Sequence, residues 1–276
     1  MTGDTVEAVA GAAAKKARYL RESPSGYFIL SALAGAYVGF GIILIFAIGA
    51  PLSAAGSPFT KVVMGASFGI ALSLVIFAGS ELFTGNNMVM MIGALKRASS
   101  PVALAAVWAL SFLGNLAGSL LLAWLVAKSG VLGGAPQLGF VQKTVETKMH
   151  LPASELFVRG ILCNWLVCLA VWSAMRAQTE MARLVMIFWC LFAFIGAGFE
   201  HSVANMTLLA VGLFQEHGAA ITWGGFVHNL VPVTLGNIVG GAAFVGGAYW
   251  FSNLPLRLGR VEAAAAGQPE GALAEA

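Results

Sequence analysis

Residues 78–88 (AGSELFTGNNM) and 193–206 (AFIGAGFEHSVANM) each place a carboxylate and several small polar residues inside a long apolar stretch. These stretches cover 62–95 and 184–214, which is 34 and 31 residues. As a straight helix either would be about 50 Å long, too long for one crossing of a hydrocarbon layer of ~30 Å and too short for two. Because non-helical backbone at membrane depth is tolerated only inside protein or beside a water-filled cavity, both stretches predict broken helices that line a pore.

The composition of the whole chain is that of a membrane protein. Of its 276 residues, 59% are apolar and 10% are charged, and the mean hydropathy is +0.85. A soluble domain has roughly 45–50% apolar and about 25% charged residues, so a water-soluble enzyme is excluded. The formal charge of +3 is spread thinly along the chain, which gives no basic face for nucleic acid.

The uncharged intervals predict an all-α integral membrane protein with six transmembrane helices in a lipid bilayer. The predicted spans lie near 27–50, 62–95, 102–127, 155–175, 184–214 and 231–252, with helices 2 and 5 broken. Around this channel domain (27–252), residues 1–26 predict a cytoplasmic N-terminal amphipathic segment and residues 253–276 a cytoplasmic disordered tail.

The distribution of basic residues predicts the orientation of the chain. Six spans put both termini on one side, and that side holds ten lysines and arginines against four or five on the other. Basic residues are enriched in cytoplasmic loops, so both termini are expected in the cytoplasm.

The two breaks belong to an internal repeat. The Gly-x-Glu of the first break (79–81) recurs in the second (198–200) at an offset of 119, and Leu-Gly-Asn at 113–115 recurs at 235–237 at an offset of 122. The copies are 27–127 and 155–252. Because each copy holds three spans, the second must enter the membrane upside down, which gives an inverted 3+3 repeat with the working site at the interface of its halves.

The polar residues of the breaks leave alternatives open. His201 either bonds a loop carbonyl and holds the second break together, or it is a pore histidine that donates a hydrogen bond and presents a positive charge when protonated. For Glu81 and Glu200, capping of exposed backbone N–H groups is favoured over a proton relay. Asn205 is grouped with these caps, although its amide is equally able to bond a permeant.

The remaining polar residues point to an anion and to no metal site or cofactor. His150, His217 and His228 are expected in outer loops, and no paired-histidine spacing is present. The positive ends of two half-helices near a histidine, with lysines on the outer side, favour a small anion. The residues alone therefore predict a small-solute pore for anions.

The motifs resemble those of the formate/nitrite transporter family. The resemblance covers roughly residues 10–255. It rests on AGSELFTGN at 78–86, KMH…CNWLVCLAVW at 148–172, AFIGAGFEHSVANM at 193–206 and VTLGNIVGG at 233–241. It implies an aquaporin-like bundle, a homopentamer with one pore per protomer, and a bacterial inner-membrane location. GAYVGFGIILIF at 35–46 resembles the nitrite channels more than the formate channels.

The resemblance also implies roles for single residues. His201 matches the central pore histidine of the family, and Thr84 matches the hydrogen-bonding partner of that histidine. The remaining matches are Phe68 and Phe194 at an outer constriction, Leu72 and Leu82 at an inner constriction, and Lys148 and Asn164 as the vestibule lysine and the asparagine associated with anion attraction and histidine electrostatics.

These expectations together describe a nitrite channel or transporter for small monovalent weak-acid anions, which is not an enzyme. A proton gained near His201 would let the substrate pass the constriction as its neutral acid. A formate or hydrosulfide channel and a strictly proton-coupled secondary transporter are the alternatives. A neutral-solute pore is disfavoured because NPA boxes and paired pore histidines are lacking.

Overall fold

The computed structural model of the protein describes residues 2–254, and the regular structure of that part is helical. The helices are α1 Gly3–Glu22, α2 Pro24–Ala54, α3 Thr60–Ser67, α4 Ile70–Phe77, α5 Phe83–Leu95, α6 Pro101–Ser129, α7 Gln137–His150, α8 Ala153–Arg176, α9 Glu180–Ala197, α10 Ser202–Phe214 and α11 Trp223–Val239, followed by a π-helical segment Gly240–Gly247 and α12 Ala248–Ser252. Apart from Asn253 and Leu254, the predicted tail lies outside the described residues.

Six helical segments within the described residues are long and apolar enough to cross a membrane. This confirms the six predicted spans. The sixth begins at Trp223 rather than near 231, because Thr222 Oγ1 accepts a hydrogen bond from the backbone N–H of Gly225 (3.0 Å) and so caps the helix eight residues earlier than predicted.

Both long spans are interrupted where the sequence predicts. In the second span α4 ends at Phe77 and α5 begins at Phe83, and in the fifth span α9 ends at Ala197 and α10 begins at Ser202. A glycine with positive φ opens each interruption, Gly79 at +76° and Gly198 at +79°. Because a residue with a Cβ is strained in this conformation, glycine is suited to turning the chain out of the preceding helix.

Two helix pairs pack at backbone distance through glycines, α2 with α6 and α8 with α11. A Cβ at Gly118 would lie 1.8 Å from the carbonyl oxygen of Ala32, and a Cβ at Gly240 would lie 2.3 Å from that of Ile161. Gly118 and Gly240 occupy equivalent positions of the repeat, at an offset of 122. Glycine at these positions therefore permits the close approach of the helices.

Two predicted loop positions lie in helices instead. His150 is the last residue of α7, which forms within the predicted loop because Val141, Val145 and Met149 repeat every four residues and are buried as one stripe. His228 lies inside α11, which starts earlier than predicted, and its Nε2 contacts the carbonyl oxygen of Leu151 (2.9 Å). The assignment to an outer loop is therefore wrong for His228, whereas His150 lies in the predicted connection between the third and fourth spans, although in a helix.

The N-terminal segment forms helix α1, which packs against the bundle. Val6, Val9 and Ala13 are buried on one face of it, and a Cβ at Gly93 of α5 would lie 2.3 Å from that of Ala13. Glu7 forms an ion pair with Lys96 at the end of α5. These contacts hold α1 beside the half-helix that follows the first break, while its cytoplasmic location remains a prediction.

Candidate functional site

Two asparagines from neighbouring spans hold the helix breaks. The backbone N–H of Phe83 donates to Oδ1 of Asn115 (2.9 Å), and Asn115 Nδ2 donates to the carbonyl oxygens of Ser31 (2.7 Å) and Glu81 (2.9 Å). Asn115 therefore satisfies two backbone groups of the break, at Glu81 and Phe83, and joins them to the backbone of α2 at Ser31.

Asn237 does the same in the second half. The backbone N–H of Ser202 donates to its Oδ1 (2.9 Å), and its Nδ2 donates to the carbonyl oxygens of Gly160 (2.8 Å) and Glu200 (3.0 Å). The two asparagines are the third residues of the repeated Leu-Gly-Asn. The repeat thus extends from sequence to the hydrogen bonds that position the site.

The prediction that Glu81, Glu200 and Asn205 cap the breaks is wrong. Their side chains bond other side chains, because Asn115 and Asn237 already occupy the first backbone donors of α5 and α10. The side-chain cap of α10 is His201, whose Nδ1 accepts from the backbone N–H of Ala204 (3.1 Å).

At the second break, Glu200 and Lys148 form a buried ion pair. Nζ of Lys148 lies 2.7 Å from both carboxylate oxygens of Glu200, whose side chain is 3% exposed. Asn205 completes the group, since its Nδ2 donates to Glu200 (2.6 Å) and to Oδ1 of Asn229 (2.8 Å). The charge of Lys148 is therefore largely compensated within the protein.

The first break has a matching group. Oε2 of Glu81 accepts from Nζ of Lys16 (2.5 Å), from the hydroxyl of Tyr27 (2.8 Å) and from Nδ2 of Asn86 (3.1 Å). As in the second break, the carboxylate bonds an asparagine five residues later and a lysine from a helix outside the span. Lys16 comes from α1 and thereby ties this helix to the break.

Thr84 and His201 connect the two breaks directly. Oγ1 of Thr84 lies 2.9 Å from Nε2 of His201, and both residues are buried. Since Nδ1 of the ring accepts the Ala204 N–H, the neutral imidazole carries its hydrogen on Nε2 and donates it to Thr84. The Thr84 hydroxyl then retains its own hydrogen for a further acceptor.

Asn164 lies behind Thr84, fully buried in α8. Its Nδ2 contacts the carbonyl oxygens of Thr84 (3.1 Å) and Asn237 (2.7 Å) and Oδ1 of Asn87 (3.1 Å). Asn164 lines neither of the two cavities that meet at His201. It joins the backbone of the first break to the backbone of α11 at Asn237 and makes no hydrogen bond to His201.

A cavity of about 410 Å³ opens beside the second break and ends at His201. Four cationic side chains line it, Lys61, Lys143, Lys148 and Arg159, and Glu200 is the one acidic residue in its wall. Arg159 pairs with Glu155. Lys61 and Lys143 are exposed and have no ion pair or hydrogen bond among residues 2–254, so they supply the uncompensated positive charge of this outer cavity.

Beyond His201 the path narrows to an apolar cavity of about 10 Å³, which is barely the volume of one water molecule. The four residues predicted at constrictions, Phe68, Phe194, Leu72 and Leu82, all line it together with His201. The rings of Phe68 and Phe194 meet edge to face with centroids 5.5 Å apart. The imidazole of His201 and the ring of Phe194 therefore lie between a larger cavity lined by cationic side chains and a small apolar one.

Sequence reasoning missed the functions of Asn115, Asn237, Lys16 and Tyr27. The repeated Leu-Gly-Asn marked the two asparagines as equivalent, but capping across spans depends on which helices are neighbours. The contact of Lys16 with Glu81 could not be predicted, because nothing in the sequence places a residue of α1 beside residue 81.

Comparison with known proteins identifies the family. The family model of the formate/nitrite transporter matches residues 3–251. The nitrite transporter NirC of Escherichia coli strain K12 is 46% identical over 252 residues, which is 91% of this chain and 92% of that protein.

Solved structures agree with this match. A channel described as an FNT family ion channel superposes with a TM-score of 0.86 at 46% identity, covering 90% of this chain and 98% of its own. A pentameric formate channel with formate bound superposes with a TM-score of 0.71 at 30% identity, covering 85% and 99%. The chain therefore belongs to the formate/nitrite transporter family.

Proposed function

We propose that this protein is a channel or transporter that moves nitrite, and related small monovalent weak-acid anions, across the bacterial cytoplasmic membrane. The observation that carries the proposal is the Thr84–His201 pair, which lies at the floor of a cation-lined cavity and at the entrance to an apolar constriction. Nitrite is favoured because the relative at 46% identity is a nitrite transporter.

Recruitment of the anion falls to the outer cavity. Lys61 and Lys143 raise the local concentration of small anions there, because a positive cleft attracts counter-ions from solution. Lys148 contributes less, since Glu200 compensates its charge at 2.7 Å. Its main effect is to hold Glu200, and through Asn205 the first turn of α10, in place.

The constriction decides the form in which the substrate crosses. An ion moved into an apolar medium loses several kcal/mol of solvation free energy even after relaxation. Addition of a proton to nitrite gives neutral nitrous acid, which avoids this cost, and the proton is released again on the other side. We therefore assign to the protein a pathway on which anion and proton cross together.

His201 acts on this pathway as a hydrogen-bond donor. Protonation of the ring would occur at Nδ1, where the new N–H would face the N–H of Ala204 and break the cap of α10. The neutral ring instead orients the Thr84 hydroxyl through Nε2–H, and that hydroxyl donates to the anion. The proton comes from hydronium of the solution that enters the outer cavity, which leaves water behind. This agrees with the expectation of a proton gained near His201 and leaves the ring itself neutral.

A formate channel is the second candidate. The formate channel of the comparison has the same fold at 30% identity, and formate is also a small monovalent weak-acid anion. Because that channel is pentameric, it also supports a homopentamer for this chain. The orientation with both termini in the cytoplasm rests on the distribution of basic residues in the sequence.

The experiment is uptake of nitrite, formate and chloride into proteoliposomes that contain the purified protein. Saturable nitrite uptake that exceeds formate uptake and strengthens at acid pH is the expected result. Formate uptake above nitrite uptake would assign the second candidate. Chloride uptake equal to both would contradict selection of weak acids.

A further inference from the structure

A groove of about 650 Å³ lies between the second half of α1 and the start of α6, away from the pore. Arg18 and Arg21 form its wall on the α1 side. Ser99, Ser100 and Val102 line it on the side of the connection into α6. It contains no residue of the Thr84–His201 site or of the outer cavity.

The two arginines supply uncompensated charge to the groove. They are one helical turn apart, both are exposed, and neither forms an ion pair or hydrogen bond within residues 2–254. Lys16, on the same helix, is bonded to Glu81. No acidic residue lines the groove. Two guanidinium groups therefore face a cavity in which nothing of the described chain balances them.

Ser99 adds a donor that lacks an acceptor. Ser99 lines the groove, while its hydroxyl oxygen lies beneath the surface beside Gly93 and has no hydrogen-bond partner in the described structure. Buried polar groups in proteins are normally hydrogen-bonded, so the Ser99 hydroxyl is a second polar group of the groove wall that no group of residues 2–254 satisfies.

The groove runs from polar residues into the membrane-spanning part of α6. This span begins at Pro101, directly after Ser99 and Ser100. Val102 is 79% exposed, and Ala106, one turn further along, is also exposed and lines the groove. One end thus offers cationic and hydroxyl donors, and the other offers an apolar surface at the depth of lipid chains.

We propose that this groove binds an acidic glycerophospholipid, with the headgroup phosphate between Arg18 and Arg21. Guanidinium groups bind phosphate oxygens with paired hydrogen bonds. Rotation about χ1 of Ser99 would turn its unpaired hydroxyl from Gly93 toward a further phosphate oxygen. The acyl chains lie along Val102 and Ala106. The groove is on the membrane face that the basic residues predict as cytoplasmic, where anionic lipids attract such clusters.

Lipid binding there fastens α1 to the rim of the bundle. This helix is already joined to α5 by Glu7–Lys96 and to the first break by Lys16–Glu81. A phosphate held between α1 and the start of α6 adds a third attachment, so bound lipid raises the thermal stability of the protein.

The test measures binding of phosphatidylglycerol to the full-length protein in neutral detergent micelles, with the shift in apparent melting temperature as a second readout. Arg18→Gln/Arg21→Gln removes both guanidinium groups. The matched control is Lys15→Gln/Arg176→Gln, which removes two charges from the same predicted membrane face at positions that do not line the groove. Ser99→Ala breaks no hydrogen bond of the described chain.

We expect the Arg18→Gln/Arg21→Gln variant to bind phosphatidylglycerol about tenfold more weakly and Ser99→Ala about threefold more weakly. The control should change by less than twofold. An equal loss of phosphatidylglycerol binding in the control would contradict the proposed site, because binding would then depend on general surface charge.

Two further arms identify the occupant. Phosphatidylcholine and inorganic phosphate at the same concentration should leave the melting temperature of the wild-type protein unchanged. An equal rise with inorganic phosphate would show a free-anion site instead of a lipid site. A change of oligomeric state in lipid-free Arg18→Gln/Arg21→Gln, measured by light scattering, would assign the groove to a second copy of the chain and contradict the proposal.

Discussion

Nε2 of His201 lies 2.9 Å from Oγ1 of Thr84, so the two helix breaks, 117 residues apart in sequence, meet in one hydrogen bond. Thr84 belongs to the first half of the repeat, whereas Asn164 and His201 belong to the second. Asn164 holds the carbonyl of Thr84, and the cap that His201 provides for α10 orients the ring. The site therefore forms only when both halves are packed together.

The two capping asparagines, Asn115 and Asn237, should contribute equally to the free energy of unfolding. Asn115→Ala and Asn237→Ala each remove two hydrogen bonds to the backbone of a break and one to the backbone of a neighbouring helix. We expect each to lower the free energy of unfolding by about 2–4 kcal/mol. Thermal unfolding of the purified variants measures this. If one substitution were tolerated without loss of stability, the two breaks would not be supported in the same way.

The glycine contacts should tolerate no methyl group. Gly118→Ala and Gly240→Ala place a Cβ within 2.3 Å or less of a carbonyl oxygen on a rigid neighbouring helix, so we expect a severe loss of folded protein. Gly139→Ala is the control, because a Cβ there meets no atom within 4 Å. The yield of monodisperse protein in size-exclusion chromatography is the measurement. Wild-type yield from Gly118→Ala would contradict the close approach of α2 and α6.

Removal of one partner of the Lys148–Glu200 pair should cost more than removal of both. Lys148→Gln leaves a carboxylate that is 3% exposed without its cation, and we expect a loss of about 3 kcal/mol. The Lys148→Gln/Glu200→Gln double variant removes that buried charge and should recover part of the loss. Melting temperatures of both single variants and the double variant give the coupling free energy. Additive losses would mean that the pair does not act as a unit.

The outer lysines should control uptake through long-range charge. Lys61→Gln and Lys143→Gln should each lower nitrite uptake at subsaturating concentration and low ionic strength about threefold, and the difference should vanish in high salt. Lys128→Gln is the matched control, because Lys128 is exposed at the end of α6 and does not line the outer cavity. Equal effects on nitrite uptake in all three variants would contradict the prediction, because the lysines of the outer cavity would then have no special role in uptake.

Much of the fold could be predicted from the sequence because the membrane limits the alternatives. Six apolar stretches of suitable length allow little but six helices, and polar residues inside two of them require interruptions. The missed features depend on tertiary contacts. The sequence predicts that Glu81 and Glu200 cap the backbone of their own breaks. Asn115 and Asn237 cap it instead, from spans that the sequence does not identify as neighbours of the breaks.

Helix α7 was missed for a different reason. Its apolar stripe is short and consists of Val141, Val145 and Met149. Because lysines interrupt this stretch, it contains no long uncharged interval of the kind that indicates a membrane span. This helix supplies both Lys143 and Lys148 to the outer cavity. Hydropathy therefore identifies the membrane spans but gives no indication of α7, the helix that positions these two cations.

The most direct test of the central claim compares the pH dependence of nitrite uptake in wild-type and His201→Asn proteoliposomes. Asparagine is a good N-cap residue, so this substitution keeps an acceptor for α10 and removes the titratable ring, whereas His201→Phe would also remove the cap. We predict that His201→Asn lowers nitrite uptake about tenfold, because the donor to Thr84 is lost. Uptake by this variant should still increase at acid pH, as it does in the wild type. Uptake by His201→Asn that no longer depends on pH would contradict the account, because the proton would then be carried by the imidazole.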